Sequence, residues 1–335
     1  MKKYASLLLL ALLLNGCDDG DLTVDSVDFE NITPQTCDQT TNTLIYKLKP
    51  QEALLLQLPP GSIINDPTLD GAPVIYNIET GGNGTYRYLY RAYDGAVATA
   101  NICNLIPPKT PNVTQEWLAI AGVIEIATKQ VEETDQTTGS SKVTGYVHSI
   151  NLKNVTFLKP GDVKQVMPEI AFGDLKTTVN PVVVNFIDED ANYCDTNKKI
   201  YNDNGVSSLT IENLDPSLIK NETTPVGTQR TSLINLNNTM NKVYYRAYAG
   251  TLPPKTSEDY FCLEKTPSTP PVSDSWYGKD GEANVSGIIQ VTTTVDVSGK
   301  VFRHRVVLVN AVLRKGNSSF KLGNSFLLGT AITTL

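Results

Sequence analysis

The chain is poor in the residues that most often carry out chemistry. Two histidines, two tryptophans and three methionines are spread over 335 residues, and the five cysteines include no CxxC pair. Multi-histidine metal centres and CxxC dithiols are left without material. No phosphate loop, dinucleotide fingerprint, GxSxG elbow or HExxH pair is written in the chain, so it carries no nucleotide, acyl-transfer or zinc-peptidase signature. Basic residues number 28 against 35 acidic ones, and they form no run. Nucleic-acid binding rests on clustered Lys and Arg, so a nucleic-acid partner is not expected. The one apolar run near the start, Tyr4 to Leu14, is eleven residues long, where a spanning helix needs about 20. No stretch keeps a 3.6-residue period, so helices should be few.

What is present begins with Met1-Lys2-Lys3, followed by that apolar run and by Leu14-Asn15-Gly16-Cys17. A charged start with a short apolar stretch reads as a secretory signal rather than as part of the fold. In these residues the chain resembles bacterial lipoproteins. The resemblance implies cleavage after residue 16, a thioether-linked diacylglycerol on Cys17 and an acylated amino group, such as a palmitoyl amide. Two or more acyl chains anchor a protein stably without a spanning helix. The lipid anchor would then be its contact with the membrane. Asp18, Asp19 and Asp21 give residues 17–25 an acidic character similar to the surface-export tether of some Gram-negative lipoproteins. The likeness implies the outer membrane, facing outward, with the periplasmic face as the alternative; in enteric-type bacteria an Asp directly after the Cys resembles an inner-membrane retention signal instead. Asp25-Ser26-Val27 also resembles a bacterial O-glycosylation site. Without residues 1–16 the chain has 26 basic and 35 acidic residues, a net of −9.

An internal repeat decides the architecture. Phe29 and Cys37-Asp38 recur as Phe186 and Cys194-Asp195, and Tyr90-Arg91-Ala92-Tyr93 recurs as Tyr245-Arg246-Ala247-Tyr248. Cys103 and Trp117 recur as Cys262 and Trp276, with a Pro-rich segment between them each time. Tyr146, His148, Ile150, Leu152 and Asn154 return as Phe302, His304, Val306, Leu308 and Asn310, and Thr177-Thr178 as Thr333-Thr334. The register slips near Gly122 and Gly287, as an insertion around Lys279 to Ala283 would produce. Two tandem copies follow, 26–180 and 181–335. Val, Ile, Thr and Tyr broken at short intervals by Gly, Pro, Asn and Asp indicate many short strands. The expected fold is therefore all-β, with two β-sandwich-like or barrel-like domains and few helices.

With Cys17 taken by lipid, four cysteines allow three pairings. Duplication selects the pairing within each copy, Cys37–Cys103 and Cys194–Cys262. Loops of that length add on the order of 4 kcal/mol each in the chain-entropy model. His148 and His304 sit on the apolar face of equivalent strands with no carboxylate or Cys near in sequence, which reads as a core histidine bonded to a neighbour. Arg91 and Arg246 lie between tyrosines; stacking and carboxylate pairing within the fold is the main reading. The sharper one is a sugar-binding surface of Arg91, Tyr93, Trp117, Arg246, Tyr248 and Trp276, joined by Tyr244 and Tyr277. Asp188-Glu189-Asp190 and Glu132-Glu133 lack calcium-loop spacing. No catalytic residue, metal or cofactor is assigned. The sequence thus points to a non-enzymatic envelope lipoprotein binding or displaying a glycan or protein partner; a carbohydrate-active hydrolase and a structural spacer are the alternatives.

Overall fold

The structure is a computed structural model that describes residues 27–335 apart from 71, 80, 82, 83, 187 and 255–259. Cys17, the acidic tether and Asp25-Ser26 lie outside the described residues.

The described chain is nearly all antiparallel β, as expected. In the first half, β1 (Gln35–Thr36), β2 (Leu44–Lys49), β3 (Glu52–Gln57), β4 (Val74–Ile78), β5 (Arg87–Tyr93), β6 (Val113–Thr134), β7 (Ser141–Lys159) and β8 (Val163–Thr178) form one eight-stranded sheet. A five-residue helix, α1 (Thr99–Cys103), precedes β6. The strands β6, β7 and β8 are 22, 19 and 16 residues long, where the punctuation of the sequence suggested shorter ones. They reach that length by bending. The register of β6 against β7 shifts between Ala119 and Val123, and Gly122 there takes a φ of +147°. The early part of β6 pairs with β5, and its later part, from Gly122 to Ile126, pairs with β4. One curled sheet therefore supplies both layers around a core that includes Leu54, Tyr88 and Trp117 from one layer and Ile124, Ile126 and Ile150 from the other.

The second half uses the same order with the long strands broken. Here β9 (Asn192–Cys194), β10 (Lys199–Asp203), β11 (Ser207–Glu212), β13 (Lys242–Tyr248), β14 (Val272–Gly278), β17 (Val312–Lys315) and β18 (Ser318–Lys321) form one sheet. The strands β12 (Arg230–Leu233), β15 (Ile288–Val295), β16 (Val301–Val309) and β19 (Ser325–Thr334) form the other. The two parts of β6 correspond to β14 and β15, separated by residues 279–287, where the inserted residues were expected. The core between the sheets includes Leu209, Val243 and Trp276 opposite Ile289, Val306 and Leu328. Each outer face carries a smaller cluster sealed by a disulfide. Cys37–Cys103 lies with Tyr46, Leu55 and Tyr93, and Cys194–Cys262 with Tyr201, Tyr248 and Phe261.

A bulge is shared by both halves. The register of β7 against β8 shifts after Ile150, and that of β16 against β19 shifts after Val306. The residues set aside by the shifts, Phe172 and Leu328, are fully buried, and the following Gly173 and Gly329 have φ of +109° and +147°. Each bulge thus turns one extra apolar side chain inward.

The halves meet along a seam. The β17–β18 hairpin of the second half enters between the 61–69 loop and the β6–β7 arm of the first. Asp66 Oδ1 accepts from the backbone N–H groups of Asn317 and Ser318 at 2.8 and 3.2 Å. The Gln130 side-chain amide receives Ser319 N–H at 3.0 Å and donates to its carbonyl at 2.9 Å. Tyr146 and Ser318 share a hydroxyl bond of 2.9 Å, and Ser141 Oγ accepts from Lys321 N–H. Val143 and Tyr146 belong to the core of the second half.

A Cβ at position 329 would lie 2.7 Å from the Glu189 carbonyl oxygen, whereas one at Gly299, also at positive φ, would meet nothing within 4 Å. Gly329→Ala is expected to lower unfolding free energy in urea by about 2–4 kcal/mol, and Gly299→Ala by about 1 kcal/mol. Equal costs would show that the bulge is not held as described.

Candidate functional site

The two histidines end up in the same buried arrangement. In the first half, His148 on β7 stands between Thr128 on β6 and Thr177 on β8. Its Nδ1 lies 2.9 Å from Thr128 Oγ1 and its Nε2 lies 3.0 Å from Thr177 Oγ1. The Thr177 hydroxyl in turn donates to Asn65 Oδ1 at 2.8 Å. Because that proton is given to Asn65, the Thr177 oxygen accepts from the ring. The imidazole is thus protonated on Nε2, and Nδ1 accepts from Thr128. In the second half His304 repeats the chain through Thr293, Thr333 and Asn221. Arg230 donates to Thr293 Oγ1 at 2.8 Å, which directs the Thr293 proton to the ring. Both rings have no exposed surface. Burial pushes each imidazole down to about 4, and the Arg230 guanidinium adds to this for His304. Both are therefore neutral at neutral pH, with every ring nitrogen bonded. They act as clasps that tie a loop to two strands.

The six residues considered for a sugar surface do not assemble into one. Arg91 lies opposite Glu116 in the ladder, and its Nε donates to Glu116 Oε2 at 2.7 Å. Arg246 pairs with Glu212 at 2.9 Å and lies 4.3 Å over the Tyr244 ring. Tyr93 and Tyr248 pack into the two disulfide clusters. Trp117 is 2% exposed, with the tilted Tyr90 ring 4.6 Å away and the Lys159 ammonium 4.2 Å from its own ring. Trp276 is 6% exposed and meets Phe320 edge-on at 5.0 Å. Of these six, Trp276 alone lines the groove described next.

That groove follows the seam in two lobes that share Val182 and Phe320. One lobe, about 400 Å³, has a floor of Tyr146, Trp276 and Phe320 and a polar rim of Asn65, Asn180, Asp274 and Lys315. The other, about 490 Å³, lies among Glu133, Lys142, Val182 to Val184 and Lys321. Asp274 accepts from Lys315 Nζ at 2.6 Å and from Trp276 Nε1 at 2.9 Å. Burial opposes its ionisation, but these bonds outweigh burial and hold the carboxyl below the usual range. Asp66 on the same wall is engaged by the hairpin turn. An apolar floor with a few convergent polar groups is the usual form of a small-ligand site. Among the described residues, no group of three or more His, Cys, Asp or Glu is placed to hold a metal ion.

Sequence reading placed both histidines in the core but missed their partners. The signal was there: Asn65 and Thr68 recur as Asn221 and Thr224 with the same spacing and the same 156-residue step as the histidines. The seam residues Asp66, Gln130 and Ser141 carry no such signal, because the repeat does not preserve them. Neither protein-family models, nor curated proteins, nor solved structures give a match to this chain.

If Trp117 is core and Arg91 a surface pair, truncation should separate them. Trp117→Ala is expected to cost about 3–5 kcal/mol, and Arg91→Ala under about 1 kcal/mol, by urea unfolding of the full chain. A cheap Trp117→Ala would return the tryptophan to the candidate ligand surface.

Proposed function

We propose that the chain is a lipid-anchored, non-enzymatic protein of the bacterial outer membrane, facing outward, that binds a glycan or protein partner in the seam groove. The observation that carries this reading is the pairing of Leu14-Asn15-Gly16-Cys17 with a body whose four other cysteines are closed into two disulfides. Disulfides persist in oxidising compartments, where an exported lipoprotein would reside. The double core and the side-chain bonding along the seam suit a stiff display body. The groove supplies amide, carboxylate and ammonium groups over aromatic carbon, a lining that suits hydroxyl-rich or peptide ligands.

Growth on an alkyne-tagged fatty acid should label the native chain and leave Cys17→Ala unlabelled and released from the membrane. Protease added to intact cells should cut the anchored chain. A photo-crosslinker at Asn180, on the groove rim, should trap a glycan or a protein in those cells. Fatty-acid labelling of Cys17→Ala would overturn the anchor. Protection from the protease would overturn the outward orientation. Absence of any adduct from Asn180 would overturn the groove as the binding site.

A further inference from the structure

We infer that His148 is an acid-sensitive latch on the seam between the two halves. Three of the elements gathered at its ring, β6, β7 and the 61–69 loop, also hold the second half, while β8 supplies Thr177 to the ring. On β6, Thr128 bonds the imidazole, and Gln130, two positions on and on the same face, pairs with Ser319. On β7, Tyr146 stands two positions before His148. Its ring lies 6.4 Å from the imidazole at an interplanar angle of 27°, and its hydroxyl bonds Ser318. On the 61–69 loop, Asn65 ends the histidine chain and the next residue, Asp66, caps the turn at Asn317 and Ser318. The second half has the same clasp without the seam. Strand register puts Val295 and Phe302 where Gln130 and Tyr146 stand, and Glu222 follows Asn221. His304 is therefore an internal control.

The groups facing His148 are the hydroxyls of Thr128 and Thr177, the amide of Asn65 and the ring of Tyr146. The charged residues beside these point elsewhere: Lys129 and Lys176 lie on the alternate face of their strands, Asp174 bonds Ser149, and Asp66 faces the second half. Among the described residues, no carboxylate bonds the ring to compensate an imidazolium. Closed, the ring stays neutral to about 4; released with its loop into water, it titrates near 6.5. Between those values the open form binds a proton that the closed form refuses. The closed seam thus keeps its full stability above about 6.5 and loses it as pH falls toward 4. From pH 7.5 to 5, opening should be favoured roughly 30-fold by this ring alone.

Hydrogen exchange of the full chain in detergent micelles, corrected for the intrinsic pH dependence, measures this directly. Protection of the peptide containing Asn317, Ser318 and Ser319 should fall roughly 30-fold from pH 7.5 to 5. Peptides of the β10–β11 hairpin should change far less. The fall should vanish in His148→Gln and persist in His304→Gln. Flat seam protection in the native chain overturns the inference. So does a fall that survives His148→Gln, which would belong to carboxylates. Should His148→Gln not fold, the native chain still decides: seam amides opening ahead of β10–β11 support the latch, and both opening together overturn it.

Discussion

A neutral imidazole taken out of water keeps its place only when both nitrogens find partners. His148 and His304 find theirs on separate parts of the chain, and this constraint organises much of the fold. The ring sits on a central strand and fixes a threonine on each neighbouring strand. Through the second threonine it reaches a loop whose asparagine precedes the histidine by about eighty residues in sequence. The same loop is tied again by Thr68, whose backbone N–H donates to the Thr128 carbonyl and whose hydroxyl accepts from Thr128 N–H. Strand pairing alone would leave the 61–69 loop outside the sheet. The clasp brings it in, and in doing so supplies the wall on which the second half rests.

The two halves show what one such device permits. In both, the clasp, the bulge at Gly173 or Gly329 and the outer disulfide cluster occupy equivalent places. They differ beyond the clasp. The β6–β7 arm continues to Thr134 and Ser141 before turning, whereas β15 and β16 turn at residues 296–300. The extra arm of the first half carries Ser141 and Val143, which meet the second half. The second half has the inserted 279–287 loop, which separates β14 from β15. Its sheet then divides where that of the first half bends through Gly122. Asymmetry laid on a common frame produces the seam, so the groove belongs to neither repeat alone.

This explains which features were legible in the sequence. Strand content, the disulfide pairing and the burial of the histidines follow from local pattern and from the equality of two copies: Cys37 and Cys194, or His148 and His304, each test the other. Trp117 and Arg91 were ambiguous, since an aromatic on a strand serves a core or a ligand equally well, and only burial and the Glu116 partner decide. The length of β6 was hidden because a strand that bends between two layers keeps no single alternation. The seam was hidden for the opposite reason. Asp66, Gln130 and Tyr146 contact residues about 170 to 250 positions away, and nothing in one half's pattern reports the position of the other.

The form of the seam bears on what the groove can do. β18 is an edge strand, and an exposed edge invites another strand to pair with it. Here the outward N–H and C=O of Ser319 and the N–H of Lys321 are met by the side chains of Gln130 and Ser141, with Asp66 at the turn. Side chains replace the missing neighbour strand. Such contacts satisfy the backbone without building a continuous ladder across the halves, so they join two cores while leaving space between them. Val182 and Phe320 divide that space, and its polar rim comes from both halves: Asn65 from the first, Asp274 and Lys315 from the second. A ligand bridging that rim would bind the closed seam better than the open one, and its affinity and the seam's stability would be linked in both directions. The buried ring behind Asn65 would then bias both at once.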